Sequence, residues 1–216
     1  MMDVRNTAVN KRNYQKELDQ LIGKLEKNGE VPTLFLHSCC APCSSYCLEY
    51  LSNYFRITVF YYNPNIFPSE EYDDRVNEQE RLILELNEGG VKYPIQLVKG
   101  VYHPEDFYSA AKGLEKEPEG GARCTECFKL RLRESAKLAK EGGFDYFTTT
   151  LTISPLKDAE RLNMIGEAMG SEYGVQFLNS DFKKKNGYKR STELSKEHDL
   201  YRQNYCGCVY SSRALA

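Results

Sequence analysis

The run Thr33-Leu-Phe-Leu-His-Ser-Cys-Cys-Ala-Pro-Cys-Ser-Ser-Tyr-Cys47 decides how the rest of the chain is read. Leu34 to His37 has the apolar pattern of a strand, the pattern breaks at Cys39-Cys40, and Ala41-Pro42 turns the chain into a helix over Ser44 to Asn53. A strand that passes through a short loop into a helix is the first unit of an α/β sheet. It delivers its loop residues to the carboxyl end of the sheet, where open α/β proteins hold their ligands, and a helix N-terminus favours thiolate over thiol. Cys39 and Cys40 therefore read as half of a metal site.

Outward from this unit, strand and helix patterns alternate. Before it, Leu18, Leu21, Ile22 and Leu25 recur at helical spacing between Asn13 and Asn28, and Gly29 ends the pattern. After it come a strand over Ile57 to Tyr62, a helix over Glu70 to Asn87, a strand over Tyr93 to Val98 and a short helix over Pro104 to Leu114. A helix from Arg123 to Glu141, a strand over Asp145 to Leu151, a helix from Pro155 to Met169 and a short strand over Val175 to Leu178 follow. The alternation predicts an α/β fold: a Rossmann-like, mostly parallel sheet with helices on both faces. Residues 1–30 read as a leader helix that packs without chemistry, and residues 31–216 as a single α/β domain, a division suited to 216 residues and 24.9 kDa.

Hydrophobic residues at 41% and charged residues at 28% are ordinary for a folded globular chain, so disorder is not indicated. No apolar run approaches the roughly 20 residues that span a bilayer. The start Met-Met-Asp-Val-Arg-Asn lacks the apolar core of a secretory signal, which gives the expectation of a cytoplasmic protein. Eight cysteines in a reducing compartment are poorly explained as a disulfide framework.

Six of them fall in pairs. Cys124-x-x-Cys127 opens a helix and lets two sulfurs reach one centre, and thiolate is the ligand that zinc and iron–sulfur clusters prefer. Cys39, Cys40, Cys124 and Cys127 suffice for a [4Fe–4S] cluster; the adjacent Cys39-Cys40 spacing is uncommon in zinc ribbons, yet spacing alone does not decide between cluster and structural zinc. Cys206-Gly-Cys208 is either a further pair of ligands or a redox pair, since a disulfide closed across one residue is strained and labile. Cys43 and Cys47, one turn apart, read as helix-face packing.

Asp181 follows the last strand and is a candidate metal ligand or acid, with helix capping as the plainer role. His37 is a candidate proton donor beside Cys39, against the more common hydrogen-bonded structural histidine. Net charge is −2, yet Lys183-Lys-Lys-Asn-Gly-Tyr-Lys-Arg190 is a local basic run that phosphates would feel, unless it is simply a solvated loop. Tyr188, Tyr201 and Tyr205 add aromatic surface of the kind that stacks on unpaired bases. No glycine-rich phosphate loop is present in the sequence.

Taken together, Leu36-His-Ser-Cys-Cys-Ala-Pro-Cys43, Tyr61-Tyr-Asn-Pro-Asn-Ile-Phe-Pro68 with Glu71, Tyr72 and Arg75, Arg123-Cys-Thr-Glu-Cys-Phe-Lys-Leu-Arg-Leu-Arg133, Thr149-Thr-Leu-Thr-Ile-Ser-Pro155 and Tyr205-Cys-Gly-Cys208 with Ser211 resemble the epoxyqueuosine reductases of the QueH type. The resemblance runs from Thr33 to Ser212 and leaves only the leader outside. It implies an adenine nucleotide hydrolase-like α/β fold and a cobalamin-independent oxidoreductase. The implied reaction is the last step of queuosine synthesis, a two-electron reduction of the epoxide of epoxyqueuosine in the tRNA wobble position. It further implies a [4Fe–4S] cluster on Cys39, Cys40, Cys124 and Cys127, a redox-active disulfide-forming pair in Cys206 and Cys208, a tRNA partner and an external electron donor. On that resemblance an additional iron ion, held partly by Asp181 and the C-terminal thiols, would receive the epoxide oxygen. The basic run with Arg131 and Arg133 would hold the anticodon stem. The rivals are a zinc-stabilised RNA-binding module and another tRNA-modifying enzyme on the same scaffold.

Overall fold

The apolar run at the start of the domain becomes the central strand because it is buried on both faces. In the computed structural model, which describes residues 12–211, β1 (Thr33–Ser38) pairs in parallel with β2 (Arg56–Tyr61) on one side and with β4 (Tyr146–Thr149) on the other. Adding β3 (Gln96–Lys99) beside β2 and β5 (Gln176–Phe177) beside β4 gives a five-stranded parallel sheet in the order β3-β2-β1-β4-β5. Continuous burial from Leu34 to Ser38 matches a strand with no water-facing side.

One core lies between the sheet and α1 (Tyr14–Asn28), α2 (Ala41–Leu51) and α3 (Ser69–Glu88), built from Leu18, Ile22, Leu48, Leu51, Leu82 and Ile83 against Leu34, Leu36 and Ile57. On the opposite face α5 (Ala122–Glu141) and α6 (Ala159–Tyr173) pack Leu132, Ala136, Leu162 and Met169 onto Phe35, Phe60, Phe147 and Phe177. α4 (Pro104–Ala111) lies on α5, and α7 (Gly187–Glu197) lies on α2. The Rossmann-like architecture expected from the alternation is the one observed. Among the described residues no helix is long and apolar enough to cross a membrane. Residues 1–11 of the leader, and Ser212 of the C-terminal motif, lie outside the described residues.

Several boundaries differ from the sequence pattern for identifiable reasons. β3 starts at Gln96 and not at Tyr93, because the Asn87 side chain donates to the Ile95 carbonyl and accepts from its amide, taking both groups from the ladder. The fourth strand ends at Thr149, whose hydroxyl accepts from the Leu151 amide and opens a 3-10 turn over Thr150–Ile153. α6 begins at Ala159 and not at Pro155, since the Asp158 carboxylate accepts from Arg161 N and caps the helix there. The freed segment Ser154 to Lys157 faces the site described next. The basic run is a loop only up to Asn186; Gly187 to Arg190 form the first turn of α7.

Candidate active site

The chain leaves β1 for β2 in one direction and crosses back to β4 in the other, so the crevice beyond β1 and β4 is the topological switch point of the sheet. Cys39 and Cys40 lie at its β1 side, and Thr150 at its β4 side donates or accepts at the Cys39 sulfur, 3.7 Å away. α2 starts one residue later than Cys40 with Pro42 in its first turn, so the amide-rich helix end faces the thiols. The Cys39 and Cys40 sulfurs are 3.8 Å apart, and Cys43, one turn into α2, joins them. The three sulfurs lie within 4.8 Å of one another, a group able to hold a metal ion. They line a cavity of about 410 Å³ together with Cys206.

Cys124, on the first turn of α5, and Cys127, on the second, line an adjoining cavity of about 250 Å³ with Cys208, and Cys206 lines both. The Cys124 sulfur accepts from the Gly120 amide at 3.2 Å. Cys206 and Cys208 are brought in by a C-terminal segment whose turn rests on Gly207. Gly207 has φ +99°, and a Cβ there would stand 2.9 Å from Ile66 Cγ1, so conformation and space both demand glycine. The Gly207 carbonyl accepts from Phe67 N, and the Cys206 carbonyl accepts from Arg75 Nη1 at 3.3 Å. Arg75, 2% exposed, pairs with Glu71 at 2.6 Å and lies under the Tyr205 ring at 5.2 Å. All eight cysteines are free thiols in the structure.

Charge explains why these thiols stand together. Arg131 is 3% exposed and lines both cavities, yet no carboxylate pairs with it among the described residues. Its Nε donates to His37 Nε2 at 3.3 Å, its Nη2 to Asn63 Oδ1, and its Nη1 faces the Cys127 sulfur at 4.0 Å. Lys157, half-buried in the segment before α6, also lines both cavities and among the described residues has no carboxylate partner. Burial works against the Lys157 charge, but the facing sulfurs of Cys39, Cys43 and Cys206 hold its pKa above the usual value. A buried cation without a counter-ion is costly, so this crevice is built for anions.

The thiols respond in kind. Hydrogen bonds from Cys40 and Cys43 hold the Cys39 thiol well below its ordinary pKa, while Cys40 is pushed up to about 12 beside that thiolate. Burial raises Cys127 to about 11. In the C-terminal pair the Cys208 thiol donates to Cys206 and holds it well down, with the Ser211 hydroxyl donating to the same sulfur at 3.3 Å, whereas Cys208 itself is pushed up. The Cys39 group and the C-terminal pair thus each favour one thiolate.

The crevice gathers Cys39, Cys40, Cys124, Cys127, Cys206 and Cys208, with Cys43 added. Asp181 is not among the lining residues; its carboxylate is taken by Lys183 at 2.6 Å. His37 is wholly buried, with burial lowering its pKa to about 3, so it is a neutral support for Arg131 and not a proton donor. The basic run is largely neutralised: Lys183 by Asp181, Lys185 by Asp19, and Arg190 by Glu49 and Glu197. Arg131 lies inside the site and cannot reach a nucleic-acid backbone, while Arg133 is exposed. Sequence reasoning missed Lys157 and the placing role of Arg75. Their only signal was position, Lys157 just past Thr149-to-Pro155 and Arg75 after the Asn63-to-Pro68 loop.

The model of the family described as epoxyqueuosine reductase QueH matches residues 34–214. The epoxyqueuosine reductase QueH of Staphylococcus epidermidis is 45% identical over 207 residues, covering 94% of this chain and 85% of the relative. That of Streptococcus pyogenes is 42% identical over 218 residues, covering 99% of this chain and 85% of the relative. The Thermotoga maritima protein of the same name is 35% identical over 185 residues, covering 83% and 90%. With the fold, the sulfur-lined crevice and these matches in agreement, the chain belongs to the epoxyqueuosine reductase QueH family of oxidoreductases.

Proposed function

We propose that this chain reduces the epoxide of epoxyqueuosine at the wobble position of tRNA to the cyclopentene of queuosine. The reaction takes up two electrons and two protons and releases the oxygen as water. The observation that carries the reading is the convergence of three cysteine groups on a crevice whose cations, the buried Arg131 and the half-buried Lys157, have no carboxylate partner among the described residues. A tRNA substrate requires that the chain act in the cytoplasm.

Cys39, Cys40, Cys124 and Cys127 would hold a [4Fe–4S] cluster. The donor set fits: it is all sulfur, a backbone amide supports Cys124, and a guanidinium faces Cys127 to balance an anionic centre. When bound, such a cluster would supply electrons one at a time. The chain's own residues do the rest. Cys206 and Cys208 together carry two electrons, released when their sulfurs join, and one proton on Cys208; with Cys206 held as thiolate, the second proton of the reaction comes from solvent. Cys208 keeps its proton where Cys206 does not, so it is the thiol able to deliver one. Lys157 holds positive charge where an oxygen anion would develop. Arg75 and Gly207 fix the pair in place. Asp181, engaged with Lys183, enters this scheme only if that ion pair opens, and a second iron is not required by it. An external donor must restore the thiols.

The test is anaerobic purification followed by absorption before and after dithionite, and assay on tRNA carrying epoxyqueuosine with digestion to nucleosides. A brown chromophore that bleaches, with the nucleoside losing the mass of one oxygen, is expected. A colourless zinc protein that binds RNA and leaves the nucleoside unchanged would overturn the reading in favour of a structural metal.

A further inference from the structure

The mouth of the larger cavity is marked by residues that line it and are also exposed to solvent, and two of them make a built pair. Tyr188, in the first turn of α7, is 40% exposed and lines the cavity that Cys39, Cys40 and Cys206 also line. Arg202 lines it too; its Nη2 donates to the Tyr188 hydroxyl at 3.3 Å, and its Cζ lies 5.8 Å from the ring centroid. The other fork of the guanidinium donates to Ser195 Oγ at 3.3 Å, and that hydroxyl donates to the Ser191 carbonyl. The ring is thus held by its edge with its charge beside it, and no carboxylate pairs with Arg202 among the described residues. Across the mouth stands Leu156, 79% exposed, which lines both cavities.

We infer that Tyr188 and Arg202 form a stacking platform for an unpaired base next to the reacting nucleotide. The inference rests on the proposed tRNA substrate. A cavity of about 410 Å³ has room for one reacting nucleoside, which leaves its neighbour at the mouth. Single-stranded loops are recognised by stacking splayed bases on aromatic rings and on guanidinium planes, and a cation without an acid partner suits the phosphate that joins the two nucleotides. A tyrosine pinned at its hydroxyl offers its face with little rotamer entropy to lose. The neutralised basic run leaves this rim, and not Lys183 to Arg190, as the place where the RNA loop is gripped.

The experiment is fluorescence anisotropy with a labelled anticodon stem-loop RNA carrying unmodified guanosine at the wobble position. The proteins are the full chain, Tyr188→Ala and Tyr188→Phe. The RNAs include versions abasic at the nucleotide before or after the wobble position. Tyr188→Ala is expected to weaken binding about tenfold, within the range of one base–aromatic stack, and Tyr188→Phe, which keeps the ring face and loses only the pin, to lose much less than Tyr188→Ala. One abasic RNA is expected to bind the parent as weakly as the intact RNA binds Tyr188→Ala, and to lose nothing further on that variant. Equal affinity of parent and Tyr188→Ala, equal losses for Ala and Phe, or abasic and Ala losses that simply add would each overturn the platform. A parent chain that binds no stem-loop at all would instead overturn the tRNA reading beneath it.

Discussion

Arg131→Met separates charge from packing at the heart of the crevice. Methionine keeps the unbranched stem and removes the charge with every donor. Arg131 Nε donates to His37 Nε2, and its Nη2 donates to Asn63 Oδ1. The histidine has a reserve, because the same Nε2 lies 3.1 Å from the Tyr62 carbonyl and Nδ1 lies 2.9 Å from the Thr149 hydroxyl. Once the arginine is gone, the imidazole can move its proton to Nε2, donate to Tyr62 and accept from Thr149. Asn63 Oδ1 has no such reserve, and Asn63 is 1% exposed. One orphaned buried acceptor costs about 1–3 kcal/mol. That sets the expected loss for the metal-free protein below the ~3–5 kcal/mol of breaking a buried ion pair whose partner stays charged. The loaded protein should fare worse, since its thiolates lose their counter-charge. Urea unfolding of the metal-free chain measures the first quantity, and iron retained through anaerobic gel filtration measures the second. A stability loss well above the predicted range with unchanged iron retention would show a structural strut, and the charge argument would fail.

Three further outcomes follow from the same geometry. Burial lowers the His37 pKa from 6.5 to about 3, so the unfolded chain takes up a proton that the folded chain refuses; this stability is complete above pH 6.5 and falls as pH drops, by about 2 kcal/mol at pH 5. Urea unfolding at pH 7 and pH 5 should show that slope in the parent and not in His37→Gln; equal slopes contradict it. Gly207→Ala forces a side chain into left-handed backbone and against Ile66, which should cost about 2 kcal/mol locally and speed alkylation of the buried Cys208 about thirtyfold, and an unchanged labelling rate would refute the strap. Removing the Lys157 charge with Lys157→Met withdraws support from the Cys206 thiolate, so the pH midpoint of Cys206 alkylation should rise, and no rise means the ammonium does not reach it.

How far the sequence speaks depends on the range of the force. β1 could be read because a strand buried on both faces must be mainly apolar, and Leu34 to Leu36 is. The switch point was legible because Cys39-Cys40 ends that strand. The errors at β3 and α6 were local competitions settled by single side chains: Asn87 reaching eight residues ahead to Ile95, and Asp158 outbidding Pro155 for the start of a helix. The cysteine pairs could be gathered on paper, but Cys43 could not. A cysteine one turn from another on a helix reads as packing until the turn of the chain before it brings Cys39 and Cys40 to the same side.

Charge is where linear reading misleads most, because a run of like charges is judged by its neighbours in sequence while the field is set by neighbours in space. Much of what neutralises Lys183 to Arg190 is remote in sequence: Glu49 stands 141 residues from Arg190, and Asp19 is farther still from Lys185. The cations that shape the crevice are single residues in ordinary surroundings: Arg75 within an acidic helix, Arg131 in an amphipathic one, Lys157 in a loop. What sets them apart is desolvation beside sulfur without a carboxylate of their own, or, for Arg75, a grip on the segment that carries Cys206. A protein can hide a basic run by pairing it and expose a strong field with two residues by leaving them unpaired in a crevice whose low-dielectric walls screen each charge less than open solvent does. The chemistry of this chain should therefore respond far more to Arg131 or Lys157 than to any lysine of the run.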